Sequence, residues 1–216
     1  MASVPTGTTF FIASAYGAAI ATTAVTNASE AVVTTTSAHS YTNGDIVEVT
    51  SGWGRLNKRT FRIKAASGSV FTLEGADSSN TTFFPATSGI GSVRKVSTFT
   101  QITQVLGIQA SGGDPKTVSY KYLESDVEFS INDGFASSQL SLELDADSIG
   151  TAGYTALKTL TDVQTDTCLR VNSRNGAVIY MPCTVALNEA VQFQDGQINR
   201  VPLAVNSNGR LVRYAS

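Results

Sequence analysis

The chain has 216 residues, and 15 Lys and Arg against 17 Asp and Glu leave a net charge of −2. Charged residues are only 15% of it, while 27 Thr and 24 Ser supply close to a quarter; an average soluble domain is roughly 25% charged. This balance excludes coiled coils and charge-driven disorder, offers no basic face for sequence-specific duplex DNA, and with one His and two Cys leaves neither a disulfide framework nor a multi-ligand zinc site.

From the N-terminus, the run Phe10–Ala21 is apolar but diluted with Ala, Gly and Ser. It is shorter than the roughly 20 residues of a membrane span. The first basic residue is Arg55, so a positively charged secretory n-region is missing. The run reads as a buried strand. Next come short β-branched segments at Ala31–Thr36, Asp45–Thr50, Thr60–Ala65 and Ser69–Glu74, with a polar loop at Asp77–Thr82 and a turn-rich exit at Ser88–Gly91. Residues 20–96 carry seven Lys and Arg against five Asp and Glu, whereas the rest is acidic. A separate small β-barrel or sandwich is expected there, of about 75 residues, close to the lower size for a self-sufficient core.

Beyond it lie Thr98–Gln109 and a Gly-rich loop at Ser111–Pro115. Two strands then alternate strictly. In the first, Leu123, Val127, Phe129 and Ile131 face one side, with Glu124, Asp126 and Glu128 on the other; in the second, Leu140, Leu142 and Leu144 oppose Glu143 and Asp145. Period-two alternation implies one buried and one wet face. Residues 124–147 hold seven acids and no Lys or Arg. One helix is expected from Thr151 to Asp162, with Tyr154, Leu157, Leu160 and Val163 inward and Ser148 or Thr151 as its cap. A meander follows: Thr167–Arg174, Ala177–Val185, Glu189–Gln194, Gln197–Val205 and Arg210–Tyr214. Five Asn-Gly or Asp-Gly pairs, at 43, 133, 175, 195 and 208, mark hairpin turns. A two-residue turn at Asn175-Gly176 would set Cys168 opposite Cys183; a longer one would separate them.

Catalytic constellations do not emerge. His39 stands alone beside a turn, and no nucleophile elbow occurs. Asp145-Ala-Asp147 starts like a calcium loop, but its twelfth position is Ala156, where a bidentate Glu is needed. Glu124, Asp126 and Glu128 would form a row of like charges rather than a pair in an apolar cleft, so they suit a wall that repels a polyanion better than acid–base work. Trp53, Arg55, Lys58 and Arg59 form the one basic aromatic cluster, a candidate outer-surface contact. No catalytic, cofactor or metal residues are expected.

The stretch KTVSYKYLESDVEFSINDGFASSQLSLELDADSIGTAGYTALKTLTD (116–162), the hairpin TCLRVNSRNGAVIYMPCTV (167–185) and the opening MASVPTGTTFFIAS (1–14) together resemble the major tail tube proteins of long-tailed bacteriophages. The intervening AVVTTTSAHSYTNGDIVEVTSGWGRLNKRTFRIKAASGSVFTLEGADSS (31–79) resembles a small β-module of phage tail proteins, named for the first catalytic cysteine half-domain of ubiquitin-activating enzyme. Residues 20–96 contain no Cys, so none of that enzyme's chemistry comes with it.

The resemblance implies a mainly β tail-tube sandwich with one flanking helix over 1–19 and 97–216, and an inserted β-domain over 20–96. It implies a structural virion protein: hexameric rings, stacked into a tube, that enclose the tape measure protein and later conduct DNA without sequence-specific binding. Tail terminator and distal tail proteins would be further partners, and assembly would occur in the host bacterial cytoplasm. Glu124, Asp126, Glu128, Glu143 and Asp145 are the expected lumen-lining acids. The alternative expectation is a carbohydrate- or cell-surface-binding tail or decoration protein, with Trp53 as its sugar platform.

Overall fold

Nearly every β-branched run becomes a strand in the computed structural model, which describes residues 5–215. The opening residues 1–4 of the expected N-terminal arm lie outside the described residues. The first strands are β1 (Thr9–Tyr16), β2 (Ile20–Val25), β3 (Val32–Thr35), β4 (Ile46–Ser51), β5 (Arg59–Ser67), β6 (Val70–Leu73) and β7 (Gly91–Ile102). Then come β8 (Val105–Gly112), β9 (Pro115–Tyr120), β10 (Phe129–Phe135) and β11 (Ser138–Asp145). A 3-10 turn (Ala146–Gly150) leads into the helix α1 (Ala152–Val163), and β12 (Thr167–Asn172), β13 (Val178–Leu187), β14 (Arg200–Ser207) and β15 (Val212–Tyr214) complete the chain.

Two assemblies share one strand. β2, β3, β6, β5, β4 and β7 pair in that order, and a β2–β7 pairing closes them into a six-stranded barrel. The sheet continues from β7 through β1, β12, β13, β14 and β11 to β8. In β7, residues 91–95 pair with β4, while 96–102 pair with β1. The chain leaves for the barrel at Gly17, whose N–H donates to Lys95 O at 2.8 Å, so exit and return are neighbours.

Burial follows the alternation. Val33, Val47, Phe61, Ile63, Phe71 and Leu73 fill the barrel, and the same apolar cluster runs on through Ala13, Cys168, Tyr180, Val212 and Tyr214 of the sheet. Each fully buried side chain of this size contributes about 1.5–3 kcal/mol, so the barrel is seated on the sheet by its core and not merely tethered. On the other face of the sheet, Ile12, Leu169, Met181 and Cys183 pack with Leu142, Leu144, Tyr154, Leu157 and Leu203. The central strands β1, β12 and β13 are therefore covered on both faces.

The helix starts where Thr151 Oγ1 accepts from Tyr154 N at 3.3 Å, and ends at Gln164 in a left-handed conformation. Gly153 lets it lie against β7: a Cβ there would collide with the Gln101 carbonyl. Tyr154 and Leu157 are buried, but Val163 is 61% exposed. Spacing by three lags the 3.6-residue turn, so the third step has rotated off the packed face.

Three other expectations change. Thr98–Gln109 is two strands, broken at Gln104 with φ 57°. Glu189–Gln194 forms no strand and keeps one bridge, Gln192 to Arg200. Residues 123–128 are loop, with the strand starting at Phe129. The post-helix turn holds three residues, Arg174 to Gly176, closed by Ser173 N–H to Ala177 O. That extra residue sets Cys168 opposite Pro182 and Cys183 opposite Thr167. One slip in register moves a side chain to the other face, so Cys168 enters the barrel-side core and Cys183 the helix-side core.

Both thiols are free and buried. Burial, the largest cause for each, pushes Cys168 up to about 12 and raises Cys183 further. Native protein is expected to resist iodoacetamide at about pH 8, where an ordinary thiol is partly ionised. Both Cys should alkylate after denaturation without reductant; a mass two protons lower with no alkylation would show a disulfide instead.

Candidate functional site

The longest feature built from local signals is a two-stranded arm. β8 and β11 pair from Val105 opposite Leu144 to Gly112 opposite Ser138. β9 and β10 carry on from Pro115 opposite Phe135 to Tyr120 opposite Phe129. Between the halves the arm bends, with Gly112 and Gly113 at φ 74° and 78°, conformations that cost a residue with a Cβ. Every residue of the outer half is exposed. Register puts Val118, Tyr120, Phe129 and Ile131 on one face, and Thr117, Ser119, Ser130 and Asn132 on the other. Tyr120 stacks on Phe129 with centroids 5.5 Å apart, and Tyr122 meets both edge-on. The arm thus presents a bare apolar face, the mark of a surface meant for contact.

At the tip, residues 121–128 form a turn held by Ser125 N–H to Tyr122 O at 3.1 Å and Val127 N–H to Ser125 Oγ at 3.1 Å. Glu124, Asp126 and Glu128 sit in this loop and not in a row on a strand face. Alternation alone misled here because a free loop and a half-buried strand carry the same pattern. Glu143 remains on the outward face of β11, bound to Arg200 at 2.6 Å. Asp145 Oδ1 accepts from Asp147 N at 3.0 Å and so starts the 3-10 turn. The structure separates these two acids from the other three.

The basic aromatic cluster also divides. Trp53 is 2% exposed, with Nε1 donating to Pro85 O at 2.7 Å and its ring edge-on to Phe84. It is a core residue of the barrel, because the loop Asn80–Ser88 folds over it, and it offers no platform to a sugar. Lys58 reaches Asp166 at 2.8 Å and ties the barrel to the residue just ahead of β12. The Arg55 guanidinium lies 3.4 Å above the Phe83 ring. Arg59 is held below its ordinary value first by burial and then by Arg210 nearby. Arg55 and Arg210 line a cleft of about 820 Å³ between barrel and arm root, with Gly134, Phe135, Ser137 and Leu211. Sequence could not bring these together, since the cleft joins residues from four distant segments.

A second polar set fastens the barrel. Glu48 takes both Nε and Nη2 of Arg94, at 3.1 and 2.9 Å, and Arg94 lies 4.0 Å over the Tyr16 ring. Tyr214 Oη accepts from Arg62 N–H at 2.9 Å and donates to Glu74 O at 3.1 Å, while Arg62 grips the Glu74 carboxylate with two donors. Arg62 holds Glu74 below its ordinary value. Burial alone would raise Asp45, but Lys95 and the Thr42 N–H outweigh it and hold it low. His39 stacks on Tyr41, and its Nδ1 accepts the Tyr41 N–H at 3.3 Å, so it serves packing. Among the described residues no three His, Cys, Asp or Glu side chains converge on a metal-sized site, and no helix is long and apolar enough to cross a membrane.

The sequence profile of the phage tail tube protein family, TTP, matches residues 51–216, and the chain belongs to that family. Its members are structural components of the virion tail. The match begins in β4, so it takes in part of the barrel as well as the sheet, the arm and the helix. Among solved structures the chain is similar to a protein of the virion of a native gene transfer agent particle, with 16% identity, a TM-score of 0.44, and 54% of this chain and 89% of that chain covered. It is also similar to a chain from the tail of an empty gene transfer agent particle, at 16% identity and TM-score 0.43, covering 54% and 87%. No curated protein matches.

Trp53→Ala is expected to cost about 3–5 kcal/mol, as for other buried aromatics, read as a lower urea midpoint. An unchanged midpoint would return Trp53 to the surface. A carboxylate with a lowered folded pKa contributes stability above its unfolded value and loses it as pH falls through the folded one. The melting temperature should therefore hold down to about pH 5 and fall below about pH 4. Asp45→Asn and Glu74→Gln should melt lower at neutral pH and decline less on acidification; parallel acid limbs for variants and wild type would contradict this.

Proposed function

We propose that the chain is the repeating subunit of a tail tube, six copies forming a ring and rings stacking into a hollow cylinder. The cylinder holds the tape measure protein during assembly, passes DNA at ejection, and is bounded by tail terminator and distal tail proteins. Assembly takes place in the host bacterial cytoplasm, and the protein performs no catalysis. The observation that carries this reading is the unfinished state of a single copy. Among the described residues β8 pairs only with β11, leaving a row of backbone donors and acceptors free there, and the arm beyond it has a bare apolar face. Edges of that kind are normally hidden by pairing or closure. Six copies that close their sheets on one another would hide every edge at once.

The same geometry supports a choice of luminal face. The barrel covers one side of β1, β12 and β13, and the helix with β11 and β14 covers the other. The outward face of β11 and β8 remains, with Gln109, Ser111, Gln139, Ser141 and Glu143 in register. It is polar and carries Glu143 partly neutralised by Arg200, a surface on which a polyanion slides without sticking. Asp145 lies at its end. The barrel, on the far side of the sheet, projects outward and stays clear of the bore. Nothing favours the sugar-binding reading once Trp53 is buried.

Purified protein, concentrated and viewed by negative-stain electron microscopy, is expected to show six-fold rings or hollow tubes. Discrete monomers at every concentration, with and without a tail-tip initiator complex, would sink the reading.

A further inference from the structure

The tube reading leaves two features unused, and they are complementary. The cleft at the arm root has two guanidinium groups on its wall, Arg55 and Arg210, with the half-buried Arg59 behind them. Among the described residues none of the three has a carboxylate within ion-pair distance, whereas seven of the other twelve Lys and Arg do. Like charges gathered without a counter-ion repel one another, so an anionic group is the occupant the cleft favours. Its floor is apolar, from Phe135 and Leu211, both exposed in a single copy.

The arm tip has the opposite character. Glu124, Asp126 and Glu128 form no ion pair among the described residues, and with Lys121 included the loop still carries two net negative charges. Leu123 and Val127 stand out from it, Leu123 fully exposed. A leucine flanked by carboxylates matches an apolar floor flanked by guanidiniums. The tip cannot serve its own cleft. The cleft is built on the root of the same arm, and the six residues of β9 hold tip and root about 20 Å apart at roughly 3.3 Å per residue.

We infer that the acidic arm tip of one copy, residues 122–128, docks in the Arg55–Arg210 cleft of a second copy. This rests on the tube-subunit reading and gives the inserted barrel a role in it, because Arg55 belongs to the barrel. Tip and cleft are different surfaces of one chain, so the contact is head-to-tail. Such contacts close into rings or propagate as filaments, and charge steers their formation and weakens them as salt rises.

The test is a cross-link in the full chain. Leu123→Cys with Leu211→Cys should give a ladder of disulfide-linked oligomers on a non-reducing gel; the native thiols are buried and stay silent. Leu123→Cys with Val163→Cys, on the exposed helix face, is the control and should stay near monomer. In the ladder-forming background, reversing the tip (Glu124→Lys, Asp126→Lys, Glu128→Lys) or the cleft (Arg55→Glu, Arg210→Glu) should each cut the ladder at least tenfold with unchanged circular dichroism. Mixing the two reversed proteins should restore it, since each tip then meets a cleft of opposite charge. A ladder no stronger than the control, or one indifferent to charge reversal, overturns the inference. So does a cleft reversal that abolishes retention on heparin while leaving the ladder intact, which would assign the cleft to a free polyanion. Tubes without a ladder would leave the tube reading standing and the contact refuted. A charge-dependent ladder without rings or tubes would do the reverse.

Discussion

Everything in this fold depends on β7 serving two sheets. A strand has two edges, and β7 spends them differently along its 12 residues. The first half is locked between β4 and β2, and the second is paired to β1. The barrel therefore has one orientation on the tail-tube sheet. Phe61, Cys168, Tyr180 and Tyr214 share one apolar cluster because that orientation brings their faces together. The polar fastenings follow the same line: Glu48 meets Arg94 on β7 itself, and Lys58 and Arg62 reach across to Asp166 and Tyr214.

Charge is sorted by the same constraint. Lys58, Arg62 and Arg94 on the barrel–sheet seam find carboxylates and stabilise the seam. Arg55 and Arg210, at the seam's open end, do not. The acids show the mirror image. Glu143, on the paired root of the arm, is matched by Arg200, while the three at the free tip are unmatched. An isolated copy thus carries matched charges along the seam and unmatched ones at these margins.

Much of the fold was legible in the sequence. The strands around Val33, Val47, Phe61 and Phe71, the helix with Thr151 as its cap, and the strands around Leu142 and Val205 all follow from short-range periodicity and turn chemistry. Three things did not. The register at Cys168 turned on whether one loop had two or three residues, which Asn175-Gly176 does not decide. Alternation places the tip acids on a strand because it is blind to whether a face has anything to pack on. Local sequence leaves Trp53 at the surface because its cover, Phe84 and Pro85, lies some thirty residues away in the chain. Of the candidate site, sequence supplied the charges of both partners but not the cleft, whose walls come from segments around 55, 113, 135 and 210.

The junction at Gly17 and Lys95 has a consequence for how such chains diversify. The polypeptide leaves the tail-tube sheet and returns to it across a single backbone hydrogen bond of 2.8 Å. A module whose ends lie one strand spacing apart, about 4.8 Å, and which covers the same apolar face around Cys168, Tyr180 and Tyr214, could be spliced into the gene at that point without moving β1 relative to the rest of β7. The excursion is in effect a socket, and recombination there would exchange the barrel while leaving the register of β1 on β7 unchanged.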